Sequence, residues 1–298
     1  NFLRRMKAYQ LGFKKMQKPD LVHGNVLHNN MLFAVSLKRK YGIPFVISEH
    51  WSVFQEQNHV KISKSARFLA KKIAEKASFI LPVTENLISG LQKLGITTPM
   101  KVVGNVVDTD LFSPKFEKSE KFTFLHISNL ISLKNPEKII KAAIDLHQIN
   151  PYFELQIGGD GDLKPLQKMI HLNNAESYIK TFGMLSLEQV SDKMKAANCF
   201  VLFSDYENQP CVILESLASG ISVIATNVGG ISELLNEKRG VLIEKNDSHA
   251  LLEAMKNVLQ KNVALESSES LRKYVIENFS KSVIAEKFSE IYKQVLVK

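Results

Sequence analysis

Short apolar runs alternate with stretches of helical periodicity along nearly the whole of this 298-residue chain, and that alternation constrains the fold more than any other feature. Parallel strands cannot be joined by a tight turn. Each pair needs a crossover, usually a helix, so the pattern predicts parallel sheets flanked by helices. In the first part, residues 2–17 have helical periodicity, residues 20–23, 44–47, 79–83 and 101–103 read as strands, and residues 61–77 read as a basic helix. Residues 113–121 are charged and aperiodic and carry Pro114, which marks a linker. A second series follows, with strands at 122–127, 154–157, 178–182, 200–203, 221–225 and 241–243. Its helices fall at 136–148, 163–173, 187–196, 210–219 and 231–235, before two closing helices. The last, 283–297, lines up Val283, Ile284, Phe288, Ile291, Tyr292 and Val295 on one face.

The expected architecture is α/β, with two Rossmann-like domains over residues 1–116 and 117–282 and a C-terminal helix over 283–298 packing back on the first. The first domain has four strands and opens at Asn1 with a helix, so it reads as incomplete, its opening strands lying outside the sequence.

No apolar run approaches the roughly 18 residues that cross a bilayer, and the basic N-terminus lacks the apolar core and cleavage site of a signal peptide. Two cysteines, Cys199 and Cys211, form neither a metal spacing nor a disulfide framework, which fits a reducing cytoplasm. The net charge of +9 is unevenly placed: residues 1–112 hold 17 Lys or Arg against 7 Asp or Glu, and the remainder 22 against 23. A basic half beside a neutral one predicts an anionic partner, such as phospholipid headgroups at the inner face of a membrane or a diphosphate-linked acceptor. The alternative is a solvated basic surface on helices.

The segment richest in chemistry is residues 204–220. Glu207 follows a buried strand, in the crevice position where open α/β sheets bind ligands. Pro210 is suited to open a helix and Gly220 to end it, which leaves the amides near Cys211 and Val212 unpaired and able to meet a phosphate. Glu215, eight residues after Glu207, lies on the same helix, where a carboxylate can accept hydrogen bonds from two ribose hydroxyls. On spacing alone, a chance acidic pair at a loop and a helix is the better explanation of these two residues.

The ordered landmarks go further. Glu207 and Glu215 are followed by Ala218-Ser-Gly220, Ala225-Thr226 and Val228-Gly-Gly230; upstream stand Ile47-Ser-Glu-His50, the run 105–114 from Asn105 through Asp108 to Pro114, Gly158-Gly-Asp-Gly161 and Phe182-Gly183. Over about residues 19–298 the sequence resembles retaining glycosyltransferase family 4, the group 1 glycosyltransferases of GT-B fold. The resemblance implies two Rossmann-like domains facing across a cleft, the second holding a nucleotide-diphosphate sugar and the first the acceptor. It implies a sugar-transfer activity in cell-envelope polysaccharide or glycolipid synthesis, with a glycan or lipid-linked acceptor and neither metal nor cofactor. Nucleic acid is not among the implied partners.

Residue roles carry over singly. Glu207 would touch the donor sugar and diphosphate, and His50 would reach the sugar from the other domain; these are the implied catalytic pair. Lys134 would neutralise the diphosphate, Glu215 would hold the ribose, and the Gly183 and Met184 backbone would meet the base. Gln209, Cys211 and Val212 join the donor site through the same 204–220 segment. The position of Lys134 supports its role, since Asn135 can cap and Pro136 can open a helix beside it. One departure stands out: many members carry an arginine five residues before the lysine, whereas this chain has Asn129, which donates a hydrogen bond but brings no charge.

Other signals carry less. Asp108-Thr-Asp110 imitates a metal-binding aspartate motif, but its Asn-Val-Val and Leu-Phe flanks fit a crossover. Gly158-Gly-Asp-Gly161 lacks the spacing of a nicotinamide fingerprint. His23, His28, His126, His147 and His171 show no zinc spacing and read as structural or exposed, with a secondary role near the cleft open to His23 and His28; Trp51 is either core, the favoured reading, or one wall of the sugar site. The rival functions are a nucleotide-sugar epimerase of the same fold and an inactive nucleotide-sugar-binding fragment.

Overall fold

A computed structural model describes residues 2–115 and 121–297, in two compact units: Asn1–Asn105 with Ile284–Lys298, and Val106–Val283. Most of the expected linker, residues 116–120, lies outside the described residues.

In the first unit three parallel strands, β1 (Val22–Asn25), β2 (Phe45–Glu49) and β3 (Phe79–Pro82), form a sheet in that order. Its helices are α1 (Phe2–Lys14), α2 (Leu32–Tyr41), α3 (Lys64–Ala74) and α4 (Glu85–Lys93). Gly42 ends α2 in the left-handed region at φ 72°, and the Ser63 and Thr84 side chains cap α3 and α4. Side chains alternate across the buried central strand: Phe45 and Ile47 pack with Ile73, Ile80 and Leu87 on one face, while Val46 and Leu81 pack on the other with Ile284, Ile291 and Val295. Those last three belong to the closing helix of the chain.

The expected strand at 101–103 is a correction. Ile80 N–H donates to Pro99 O (3.0 Å), Lys101 N–H to Ile80 O (3.2 Å) and Val103 N–H to Pro82 O (3.0 Å), so the segment runs beside β3. It forms only a bridge, Ile80 to Met100. Pro82 and Pro99 have no N–H to give, which cuts the ladder short.

The second unit carries six parallel strands: β4 (Phe122–Ser128), β5 (Phe153–Gly159), β6 (Ile179–Phe182), β7 (Cys199–Leu202), β8 (Ser222–Thr226) and β9 (Gly240–Ile243). They are ordered β6-β5-β4-β7-β8-β9, the doubly wound arrangement of dinucleotide-binding folds. The helices are α5 (Pro136–Ile149), α6 (Lys164–Leu172), α7 (Leu187–Ala196), α8 (Cys211–Ala218), α9 (Ile231–Leu234), α10 (Ser248–Leu259) and α11 (Ser268–Phe279). One face of the sheet is covered through Phe124, Leu155, Ile157 and Val201 with Ile139 and Ala143; the other through Leu125, Phe200, Leu202 and Val223 with Ile213 and Leu217. Helix α12 (Lys281–Leu296) starts in this unit and ends in the first.

The boundary falls at Asn105–Val106, earlier than the expected 116, because residues 106–112 are tied to the second unit. Val107 N–H donates to Phe279 O (3.0 Å), Phe112 is buried, and the Arg272 guanidinium donates to Phe112 O (2.7 Å) and Thr109 O (2.8 Å). With these bounds the charge asymmetry sharpens: the first unit holds 20 Lys or Arg against 7 Asp or Glu, the second 19 against 23. Among the described residues no helix is long and apolar enough to cross a membrane.

Candidate functional site

In the second unit the chain winds outward from β4 through β5 and β6, then returns to place β7 on the other side of β4. The loops that leave the C-terminal ends of β4 and β7 must therefore part in opposite directions, which opens a crevice. Lys134 lies on the first loop and Glu207 on the second. Their side chains are largely buried and form an ion pair, Lys134 Nζ donating to Glu207 Oε1.

Both loops are held from several sides. Asp205 N–H donates to Leu133 O (2.8 Å), and Asn135 Nδ2 donates to Phe203 O (3.0 Å) and Asp205 Oδ1 (2.9 Å). From the β8 side, Thr226 Oγ1 donates to Ser204 O (2.7 Å) and Gly230 N–H to Asn208 O (3.0 Å). This corrects the expected capping role of Asn135. It sits at the N-cap position of α5 in the left-handed region (φ 48°), but its side chain crosses to the β7 loop and leaves the helix uncapped. Pro136 opens α5 as expected.

His126, read from sequence as structural or exposed, supports the same loop from beneath. It is fully buried, its Nδ1 meets Val201 O (2.8 Å) and its Nε2 meets Ser128 Oγ (2.9 Å). A carbonyl can only accept, so Nδ1 carries the proton and Ser128 donates to Nε2. Ser128 Oγ in turn accepts from Leu130 N–H (3.1 Å), which holds Leu130 at φ 50° in the loop of Asn129 and Lys134. Burial first pushes the imidazole down to about 4, so it stays neutral near pH 7; Val201 O opposes that shift and the Lys134 charge adds to it. Gly159 closes the loop from the β5 side: at φ 131°, any side chain there would strike Ser128 O, 2.0 Å from its Cβ position.

Helix α8 begins one residue later than expected. Pro210 is extended and stands at the N-cap, and Cys211 is the first helical residue. The Cys211 and Val212 amides thus have no helical acceptor, and Gly220 follows the helix end at φ 70°. Glu215 lies one turn along α8 from Cys211 and is half-buried. Desolvation alone pushes its carboxyl up to about 7. Although Cys211 is open to solvent, crowding of its thiol raises the pKa, followed by the charges of Glu215 and Glu207 among others, so these three groups lie within electrostatic reach. Glu207, Asn208, Gln209 and Pro210 are all buried in the turn before α8.

The remaining donor candidates also lie at the C-terminal ends of strands. Asn129 is exposed just after β4, and Gly183 and Met184 are exposed just after β6 at the sheet edge. His50 belongs to the first unit, immediately after β2. Partial burial lowers its pKa, against a hydrogen bond with the Asn105 side chain that raises it. Its neighbour Glu49 is fully buried and joins two loops: Leu27 N–H donates to Oε2 (2.6 Å) and Trp51 N–H to Oε1 (2.7 Å). Burial pushes the Glu49 carboxyl up to about 7 in spite of these bonds. Sequence reasoning did not single out this residue, and only its place in the landmark run ending at His50 hinted at it. Trp51 is a further correction: it is 44% exposed rather than core. His23 is structural, with Nδ1 against Tyr292 Oη (2.6 Å) and Nε2 against Ser48 Oγ (2.8 Å). Asp108 is engaged by Lys281 Nζ (2.6 Å) and accepts from the Asp110 and Leu111 amides, as a crossover turn would.

Known proteins match this arrangement. The UDP-Gal:alpha-D-GlcNAc-diphosphoundecaprenol alpha-1,3-galactosyltransferase of Escherichia coli is 25% identical over 95% of this chain and 77% of its own length. Sucrose-phosphate synthase from Thermosynechococcus elongatus superposes with a TM-score of 0.84 at 19% identity, over 99% of this chain and 78% of that one. Anabaena HepE, solved in complex with UDP, superposes with a TM-score of 0.82 at 19% identity, over 97% of this chain and 82% of that one. The fold is GT-B. The family Glycosyl transferases group 1 matches residues 107–278 and Glycosyltransferase Family 4 matches residues 1–111, so the chain belongs to the group 1 glycosyl transferases.

Proposed function

We propose that this glycosyltransferase transfers the sugar of a nucleotide-diphosphate donor with retention of anomeric configuration, and that the second unit holds the donor. The observation that carries the reading is the Lys134–Glu207 pair at the β4/β7 crevice, with the first-turn amides of α8 at Cys211 and Val212, which have no acceptor within the helix. A diphosphate entering there exchanges Glu207 for phosphate oxygens as the partner of Lys134, and the amide dipoles are already aimed at the charge that grows as the glycosidic bond breaks. Fixed donors of this kind meet the leaving group without a metal. Gln209 lines the same turn, and Asn129 offers a neutral donor where many members have an arginine. Strands lie about 4.8 Å apart, so the three spacings from β7 to β6 put Gly183 and Met184 about 14 Å from Glu207, a span suited to the base end of the nucleotide. Glu215, on α8, is the residue we assign to the ribose hydroxyls. His50, from the first unit, is the residue we assign to the donor sugar on the acceptor side. An epimerase finds no support among the matched relatives, which are transferases.

The acceptor is proposed to be a glycan or lipid-linked sugar of cell-envelope polysaccharide or glycolipid synthesis. The Escherichia coli relative's diphosphoundecaprenol acceptor and the excess of 13 positive charges on the first unit support this. The same charge brings the protein to the cytoplasmic face of an anionic membrane, where each exposed Lys or Arg near the surface contributes about 1 kcal/mol. Cosedimentation with phosphatidylserine vesicles should fall steeply as salt rises. Equal binding to phosphatidylcholine vesicles contradicts the electrostatic account.

Lys134 and Glu207 should separate binding from turnover. Lys134→Met removes the phosphate partner and is expected to weaken UDP, GDP or ADP binding, whichever is cognate, at least tenfold in calorimetry. Glu207→Gln relieves Lys134 of its competing partner, so the nucleoside diphosphate should bind as tightly as before or tighter, while transfer is lost. Wild-type product analysis by NMR should show the donor's anomeric configuration, and turnover should persist in EDTA. Loss of nucleotide binding in Glu207→Gln, or an inverted product, contradicts the assignment.

Glu215 gives a pH test. Its free-state carboxyl titrates near 7, and ribose hydroxyls donate to the ionised form, so binding lowers that pKa. Affinity should therefore be full above about pH 8 and decline as pH falls through 7. Because the nucleotide's terminal phosphate also titrates near 6, the informative quantity is the difference from Glu215→Gln, which should bind more weakly at pH 8 and show a flatter profile. Parallel profiles for the two proteins contradict the ribose role.

A further inference from the structure

Asn105 opens the landmark run 105–114, yet none of the donor contacts uses it. It is the last residue of the first unit. The strand-like segment before it explains how it is placed. Val103 N–H donates to Pro82 O (3.0 Å) and Val83 N–H to Glu49 O (3.3 Å), so β2, β3 and the 99–103 segment end side by side. Val103 is anchored beneath that end, buried with Val46, Leu81 and Ile284. Gly104 is buried too, and the chain then emerges at Asn105, at the same end of the sheet as His50. Two strand spacings, about 10 Å, separate the two backbones, and the side chains close that gap with a hydrogen bond.

The sense of that bond follows from its effect. It raises the His50 pKa, so it favours the protonated ring: a ring nitrogen donates and Asn105 Oδ1 accepts. Desolvation is the larger influence and holds the pKa below its ordinary value of 6.5, so the ring is predominantly neutral near pH 7. A neutral imidazole carries one N–H. With that proton on the nitrogen facing Asn105, the other nitrogen is unprotonated and can accept from a hydroxyl. The backbone here is fixed separately, by the Glu49 carboxyl that accepts from the Leu27 and Trp51 amides. The titratable groups around the ring are His23 on β1, whose pKa is lowered by burial first and by the His50 charge second, and Glu49, whose carboxyl titrates near 7.

We propose that Asn105 is a positioning residue for glycosyl transfer: it fixes His50 in one tautomer, with the proton toward Asn105 and the acceptor nitrogen available to a hydroxyl of the donor sugar. The role of that nitrogen rests on the assignment of His50 to the donor sugar. The tautomer does not, and is read without substrate. The short 99–103 strand thereby gains a purpose, since a single bridge to β3 suffices to carry Asn105 to the end of β2.

Histidine 15N NMR of the full chain, with the His50 signals assigned by their loss in His50→Gln, tests the inference. At pH 8 the wild-type ring should show one neutral tautomer. Asn105→Ala should give the averaged shifts of an unrestrained imidazole and a lower His50 pKa. Asn105→Asp, whose carboxylate adds a charge, should raise that pKa above the wild-type value. Turnover of the cognate nucleotide sugar should follow the ring. Taken as a ratio to wild type at each pH, which removes titrations common to both proteins, Asn105→Asp should be down about tenfold or more at pH 6 and recover toward pH 9, as its His50 loses the extra proton. Nucleoside diphosphate affinity should be unchanged in both variants. A mixed tautomer in the wild type, an unchanged ring in folded Asn105→Ala, or a ratio for Asn105→Asp that is flat with pH would each overturn the proposal. Full turnover in His50→Gln overturns the donor-sugar assignment and this inference together; turnover lost in His50→Gln but kept in both Asn105 variants overturns this inference alone.

Discussion

The second unit depends on one juxtaposition, that of β4 and β7. Because the chain winds away from β4 in one direction and returns on its other side, two loops from distant parts of the sequence are forced together at a single crevice. Lys134 and Glu207, 73 positions apart, meet there as a largely buried pair. Burying two charges is costly, and breaking such a pair by removing one partner typically costs about 3–5 kcal/mol. A protein that only needed to fold would gain as much from two apolar side chains. The pair makes sense as a site that keeps its cation neutralised until an anion arrives.

Much of the surrounding structure serves to hold that cation in place. His126 is locked as a single tautomer between Val201 O and Ser128, and Ser128 anchors the left-handed Leu130 at the start of the Lys134 loop. Asn135 stitches the far end of the loop to the β7 turn. Left-handed residues other than glycine cost about 1–3 kcal/mol each and persist where surrounding bonds over-determine them, which is the situation at Leu130 and Asn135. In the first unit, buried Glu49 holds two backbone amides and thereby sets the loops around His50 and Trp51.

The alternation of apolar runs and helical stretches made the fold legible, and the strands of both sheets fall within a few residues of where that pattern put them. What escaped was decided by partners distant in sequence. The 99–103 segment has strand composition, but prolines on both sides of the pairing reduce it to a bridge. Asn135 looks like a helix cap in isolation, yet the carbonyl of Phe203 outcompetes the helix for its amide. Trp51 has a core residue's composition and lies exposed just after β2, because Glu49 turns the backbone there. The ordered glutamates, Lys134 and the glycine turns were legible through resemblance; His126, which supports the Lys134 loop, carries no motif, Glu49 has only its place in the run ending at His50, and the role of each is visible only once its sheet brings its partners together.

The central claim is that the β4/β7 crevice receives the diphosphate. A crystal structure of this chain with its cognate nucleoside diphosphate tests it most directly. The account predicts phosphate oxygens within hydrogen-bonding distance of Lys134 Nζ and the Cys211 and Val212 amides, with Glu207 displaced from the lysine and the ribose on Glu215. A nucleotide bound elsewhere, with the Lys134–Glu207 pair intact, would contradict it.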